Sequence, residues 1–331
     1  MSTSSEGNPG TSSNVANPRN VSSLNQVLTQ AKSIVFGQDD LLESVLAALI
    51  CEGHVLIEGM PGLGKTLSVS TMSKLCDVSF KRIQFTPDLL PSDLVGTMVF
   101  NQVSQEFTTK FGPIFTQILL ADEINRSPAK VQSALLEAMA ERQVTIGDNT
   151  FRLKTPFVVL ATQNPIEQEG TYQLPEAQLD RFMMKVTVDY PDFESEKRVL
   201  TLKHEYHQEF KPILTAEDLK SIQQEVEKIY VDEKIKDFII KIVHGSRPGN
   251  ALFPKEFDGI ISAGASPRAS IWLHKIAKFK AYREGKQFVT PDHVLSLVSK
   301  VLGHRIILSY EAQMDKVLAG DVCQRLARKF L

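Results

Sequence analysis

Apolar residues recur at helical spacing from Val21 through Leu24, Val27, Leu28 and Ala31, which predicts an amphipathic helix. A short apolar segment, Ile34-Val35-Phe36, breaks at Gly37 and leads into a second helical stretch over residues 39–50, with Leu42, Val45, Leu46 and Leu49 on one face. That stretch is placed to pack on an adenine ring or in a core, alternatives the pattern leaves open. Val55-Leu56-Ile57 reads as a buried strand and residues 66–75 as a helix. Further strands are predicted over 80–85, 118–121, 157–162 and 183–188. Residues 86–93 read as a loop, because each proline biases its predecessor away from helix. Residues 96–113 read as a small protruding unit with strands at 98–100 and 106–109. Ser127-Pro128 predicts an N-cap followed by proline at the first position of a helix bearing Val131, Leu135, Ala138 and Met139. Residues 142–154 alternate around Gly147-Asp148-Asn149 as a hairpin.

Pro191-Asp192 marks a boundary, after which the pattern is mostly helical. Thr215 with Asp218 resembles a capping box, Ile235 to Val243 is strongly amphipathic, and Ser266-Pro267 and Thr290-Pro291 are two cap-plus-proline helix starts. Trp272, Ile271, Leu273 and Ile276 read as core. Residues 1–20, rich in Ser, Asn, Gly and Pro, offer little to bury and read as disordered, without the apolar stretch of a secretory signal.

Composition changes this picture little. Of 331 residues, 42% are hydrophobic and 23% charged, as in ordinary globular proteins. A net charge of −2 gives no global attraction to nucleic acid or anionic membranes, and no apolar run approaches the ~18–20 residues needed to span a bilayer. Cys51, Cys76 and Cys323 are scattered and unpaired in pattern, which fits reduced thiols and a cytoplasmic location. The seven histidines show no metal-ligand spacing, His204 and His207 included.

The chemistry is carried by three strand ends. The first empties into Gly59-Met60-Pro61-Gly62-Leu63-Gly64-Lys65-Thr66, the phosphate-loop pattern. Its glycines let backbone N–H groups curl around a polyphosphate, Lys65 adds a cation, the Thr66 hydroxyl suits Mg²⁺, and the helix dipole points at the anion. The loop with Leu67 is the expected nucleotide-binding segment. A second strand delivers Asp122 and Glu123, the first suited to organising Mg²⁺ and the second to polarising an attacking water. A third ends at Asn164, placed to hydrogen-bond a γ-phosphate or water, or to form an Asn-Pro turn with Pro165.

With Leu-Leu-Ala-Asp-Glu-Ile-Asn-Arg-Ser-Pro (119–128), Ala-Thr-Gln-Asn-Pro (161–165), Leu-Pro-Glu-Ala-Gln-Leu-Asp-Arg-Phe (174–182) and Gly-Ala-Ser-Pro-Arg (264–268) in that order, the chain resembles the MoxR family of AAA+ ATPases. The resemblance implies an α/β fold, an αβα P-loop core over 21–191 with a helical lid over 192–331. It implies an ATP site with Mg²⁺ held by Thr66 and Asp122, and Glu123, Lys65, Asn164, Arg181 and Arg268 as catalytic groups. Asn164 would be sensor 1, and Arg268 sensor 2, touching the phosphates of the same nucleotide. Arg181 would be an arginine finger for a neighbouring subunit in a ring, usually a hexamer. The 96–113 unit would be the helix-2 insert and the 142–154 hairpin the pre-sensor-1 insert. Family members are chaperone-like remodelers of protein complexes, often with a von Willebrand factor A-domain partner. A nucleic-acid motor and a non-hydrolysing switch are the rival readings. A small-molecule kinase would not explain Asn164, Arg181 and Arg268 together.

Overall fold

A computed structural model of the protein describes residues 16–103, 105–164, 172, 174–201 and 211–331. Pro165, His204, His207 and the first 15 residues lie outside the described residues. Helix α1 (Pro18–Lys32) starts earlier than the spacing predicts, because the Asn17 side chain accepts the Arg19 N–H at 3.0 Å and proline opens the first turn. Residues 18–20, expected to be disordered, are therefore helical. Asn20 is buried and donates to Glu225 at 2.7 Å.

The core then runs α2 (Asp39–Cys51), β1 (Val55–Gly59), α3 (Lys65–Leu75), β2 (Phe80–Gln84), α4 (Pro91–Val95), β3 (Gly96–Asn101), β4 (Glu106–Phe111) and β5 (Ile118–Asp122). It continues through α5 (Ala129–Glu141), β6 (Gln143–Ile146), β7 (Asn149–Arg152), β8 (Val158–Gln163), α6 (Glu176–Leu179) and β9 (Met184–Val188). Five strands form one parallel sheet in the order β2-β5-β8-β1-β9. Alternate residues go to opposite faces. Val55, Ile57, Ile118, Leu120, Val158 and Leu160 join the core shared with α2 and α3, whereas Leu56, Leu119, Ala121, Val159 and Ala161 join the one shared with α5. Burial on both sides explains why these strands read as unbroken apolar runs. The α2 face with Leu42, Val45, Leu46 and Leu49 is fully buried, so of the two alternatives it takes the core.

The two hairpins, β3–β4 and β6–β7, form antiparallel ribbons outside the sheet. Helix α5 starts at Ala129 with Pro128 as its N-cap; Ser127 is buried and its hydroxyl donates to the Ile124 carbonyl, so it does not cap the helix as predicted.

Beyond β9 come α7 (Phe193–Thr201), α8 (Ala216–Glu227), α9 (Glu233–Gly245), β10 (Ile261–Ala263), α10 (Pro267–Arg283), α11 (Pro291–Leu295), α12 (Val298–Leu302), β11 (Ile307–Leu308), α13 (Tyr310–Met314) and α14 (Ala319–Arg328). The expected helical character holds, with the small β10–β11 ribbon added. Thr215 and Asp218 form the anticipated capping box, with N–H contacts of 3.2 and 2.8 Å in the two directions. The lid shares one apolar core with α1, α2 and α3, through residues such as Ile242, Leu273 and Ala277. It meets the segment leading into β9: the side chain of Arg305 donates to the Asp180 carbonyl at 3.0 Å, and His304 Nε2 lies 3.2 Å from the Phe182 carbonyl.

Candidate active site

The strand order decides the site. Because β8 lies between β1 and β5, the end of β8 sits between the phosphate loop and the acid pair. Gly59, Pro61, Gly62, Gly64, Lys65, Thr66 and Leu67 line one cleft of about 280 Å³ with Asp122, Glu123, Thr162 and Asn164. Ligands of open parallel sheets bind at this carboxyl-terminal edge. Most of the expected nucleotide residues are thus gathered in one place. Met60 and Leu63 belong to the same loop without lining the cleft.

The glycines serve two different needs. Gly62 and Gly64 have φ of +84° and +77°, and a Cβ on either would meet nothing within 4 Å. Their requirement is the left-handed backbone that turns the loop and opens α3. Gly59 is different: a Cβ there would lie 2.5 Å from the Val188 carbonyl oxygen, so this glycine lets β1 pass close to β9.

Lys65 Nζ donates to the Gly59 carbonyl at 2.7 Å, folded back along the loop. Burial lowers its pKa, and the carboxylates of Asp122 and Glu123 oppose that shift and favour the cation. Asp122 is buried. It accepts from Thr162 Oγ1 at 3.3 Å and pairs with Arg82 Nε at 2.5 Å. Thr162 Oγ1 also accepts the Glu123 N–H at 2.8 Å, so one hydroxyl holds both acids in register. Glu123 itself has φ of +56°, a left-handed conformation uncommon outside glycine, and its carboxylate pairs with Arg126 at 3.0 Å.

Arg82, Gln84 and Thr162 also line the cleft, and the motifs assign none of them a role. Period-two alternation would have found Thr162, which shares a strand face with Asn164. Arg82 needed the pairing of β2 with β5, which sets Gln84 against Asp122 and which no local pattern reveals.

The structure places Arg268 elsewhere, correcting the expectation that it touches the nucleotide held by this loop. Arg268 and Arg181 line a second cleft of about 290 Å³, with Glu52, His54, Arg142 and Trp272. Glu52 and His54 precede β1, whereas the phosphate loop follows it. The two clefts therefore lie at opposite ends of that strand, separated by five residues at about 3.3 Å each, roughly 16 Å. The cause is the docking of α10, whose N-cap Ser266 binds Asp180 ahead of β9, at the amino-terminal edge of the sheet. Arg181 donates to the Leu136 carbonyl of α5, and Arg142 pairs with Glu52.

Mg²⁺ fits the donor set of the first cleft. Thr66 and Asp122 offer hard oxygen ligands, and a magnesium site needs only one or two such protein groups beside the phosphates.

The profile of the ATPase family associated with various cellular activities (AAA) matches residues 54–184, and that of the AAA lid domain matches residues 258–326. The chain is 42% identical over 306 residues to the protein named chaperone MoxR1 of Mycobacterium tuberculosis, covering 92% of this chain and 81% of that one. It is 42% identical over 305 residues to YeaC of Bacillus subtilis, covering 92% of each chain, and 27% identical over 307 residues to the protein MoxR of Methylorubrum extorquens, covering 87% of this chain and 89% of that one. A crystal structure of a candidate ATPase from Cytophaga hutchinsonii matches with a TM-score of 0.87 and 44% identity over 94% of both chains. With 42% identity to chaperone MoxR1 over 92% of its length and matches to both the AAA and the AAA lid profiles, the chain belongs to the MoxR family of AAA+ ATPases.

Proposed function

We propose that the protein hydrolyses ATP to ADP and phosphate in a Mg²⁺-dependent reaction, as one subunit of a ring, and uses the cycle to remodel or activate a protein complex. The observation that carries the hydrolytic reading is the convergence of Lys65, Thr66, Asp122, Glu123 and Asn164 on one cleft. Loop N–H groups and the start of α3 bind the phosphates, and Lys65 moves from the Gly59 carbonyl to their oxygens. Thr66 and Asp122 would hold Mg²⁺, which neutralises charge on the β- and γ-phosphates. Glu123 polarises the attacking water and Asn164 orients it, while Thr162 fixes the acid pair.

In this reading Arg181 and Arg268 serve a neighbouring subunit. Their shared cleft lies at the other end of β1 from the chain's own phosphate loop, and two guanidinium groups there suit the charge developing on another chain's γ-phosphate. The ring, six-membered in the superfamily norm, the cytoplasmic setting and a von Willebrand factor A-domain partner belong to the same proposal. Among the described residues no helix is long and apolar enough to cross a membrane. Glu123→Gln tests the hydrolytic part: ATP binding measured by calorimetry should persist while phosphate release falls to background. Turnover at the unsubstituted rate would remove Glu123 from its role.

A further inference from the structure

Asp180 immediately precedes Arg181 and faces the lid. Ser266 Oγ lies 2.8 Å from both of its carboxylate oxygens and donates its single proton to either. Arg268 Nη1 donates at 3.1 Å and Arg305 Nε at 2.9 Å. Arg305 extends the grip along the backbone, donating to the carbonyls of Asp180 at 3.0 Å, of Met183 at 3.3 Å, and of Phe182. Its side chain is only 1% exposed, so the guanidinium is stripped of water and depends on these acceptors. The three partners of the carboxylate all belong to the lid. Ser266 caps α10, Arg268 lies in its first turn, and Arg305 follows α12. One carboxylate between two guanidinium groups thus joins the core segment bearing Arg181 to the lid helix bearing Arg268.

We propose that Asp180 is a positioning residue whose carboxylate holds Arg268 against the segment bearing Arg181, so that both arginines reach a neighbouring subunit's nucleotide as one rigid pair. This rests on the reading that the two arginines act on a neighbour. Without the carboxylate, Arg268 and Arg305 repel each other at close range, and the start of α10 loses its fixed relation to Arg181. A misplacement on the order of 1 Å at a catalytic group costs about 10²-fold in rate. The consequence is confined to the subunit that donates the arginines, whereas a purely structural staple would affect donor and acceptor alike.

Mixtures of full-length chains with complementary defects separate these outcomes. A Lys65→Ala chain cannot use ATP itself but keeps its arginines; an Arg181→Ala chain keeps its own site but lacks one of them. ATP turnover in the mixture, well above either chain alone, reads the donation. Asp180→Asn added to the Lys65→Ala chain should lower mixed turnover by about 10²-fold without changing KM for ATP. The same substitution added to the Arg181→Ala chain should leave mixed turnover unchanged. Equal losses from either chain, or no loss from the donor, would overturn the proposal. An inactive parent mixture would overturn the reading beneath it, and the proposal with it. If Asp180→Asn fails to fold, Ser266→Ala removes one grip while keeping the carboxylate and both arginines. It should give a smaller loss with the same donor-only asymmetry, and a symmetric loss would again overturn the proposal.

Discussion

His54 shows how one buried side chain ties the sheet to its flanking helix. Its Nδ1 accepts the Val159 N–H at 3.0 Å, so the ring proton sits on Nε2, which faces the Met139 carbonyl at 3.3 Å. Burial, aided by the Arg142 cation, lowers its pKa to about 4. Protonation would set an N–H against the Val159 N–H. A folded-state pKa below the ordinary value of about 6.5 means stability is complete above that pH and is lost as pH falls toward 4. The loss attributable to this group is about 3 kcal/mol. Denaturant unfolding of the native chain should therefore weaken across this window, and a His54→Gln variant, weaker at neutral pH, should show a flatter profile. Identical slopes for the two proteins would assign the acid sensitivity to other groups.

Elements explain which features of the chain were readable. The five strands, the phosphate loop and the acid pair could be read because each is encoded by neighbours in sequence: an apolar run, a glycine spacing, two adjacent carboxylates. The Thr215–Asp218 capping box was readable for the same reason. Arg82 and Arg305 were not, since each acquires its partner only when distant segments meet, β2 beside β5 and the lid against residues 180–183. The location of Arg268 is hidden from the sequence on the same ground. Its sequence marks a helix start faithfully, but where α10 docks depends on contacts with Asp180 across the fold. The phosphate loop likewise concealed that its first glycine answers to strand packing. Gly59→Ala should lower the melting temperature more than Gly62→Ala, because its Cβ would meet the Val188 carbonyl, with an overpacking cost of about 1–3 kcal/mol. Gly62→Ala bears about 1–2 kcal/mol of backbone strain in open space and should weaken ATP binding before it weakens the fold. Thermal unfolding with and without ATP ranks the pair, and the reverse order would refute this division of roles.

For the molecule as a whole, the proposed service of the second cleft to a neighbouring subunit would make turnover a property of the assembly. Specific activity should rise with protein concentration as copies associate. Arg181→Ala should bind ATP comparably and lose that rise, since an arginine finger is worth about 10³–10⁵ in rate. Full concentration-dependent activity in the variant would remove Arg181 from the finger role. The lid contributes to the same property by being fused to the α1–α2–α3 core, so that displacing α10 disturbs the packing of the helices behind the phosphate loop.

In the proposed arrangement, β1 has a receiving end and a giving end, which would make each copy directional. Joining such copies giver to receiver is heterologous, and repeated joining either closes a circle or grows without limit. Closure then depends on the small angle each junction imposes, and nothing in the scheme requires an even number of members. Every copy within a closed circle would wait on one neighbour and be awaited by the other, so that in the proposed assembly the order of firing, and not merely its rate, would follow from the polarity of β1.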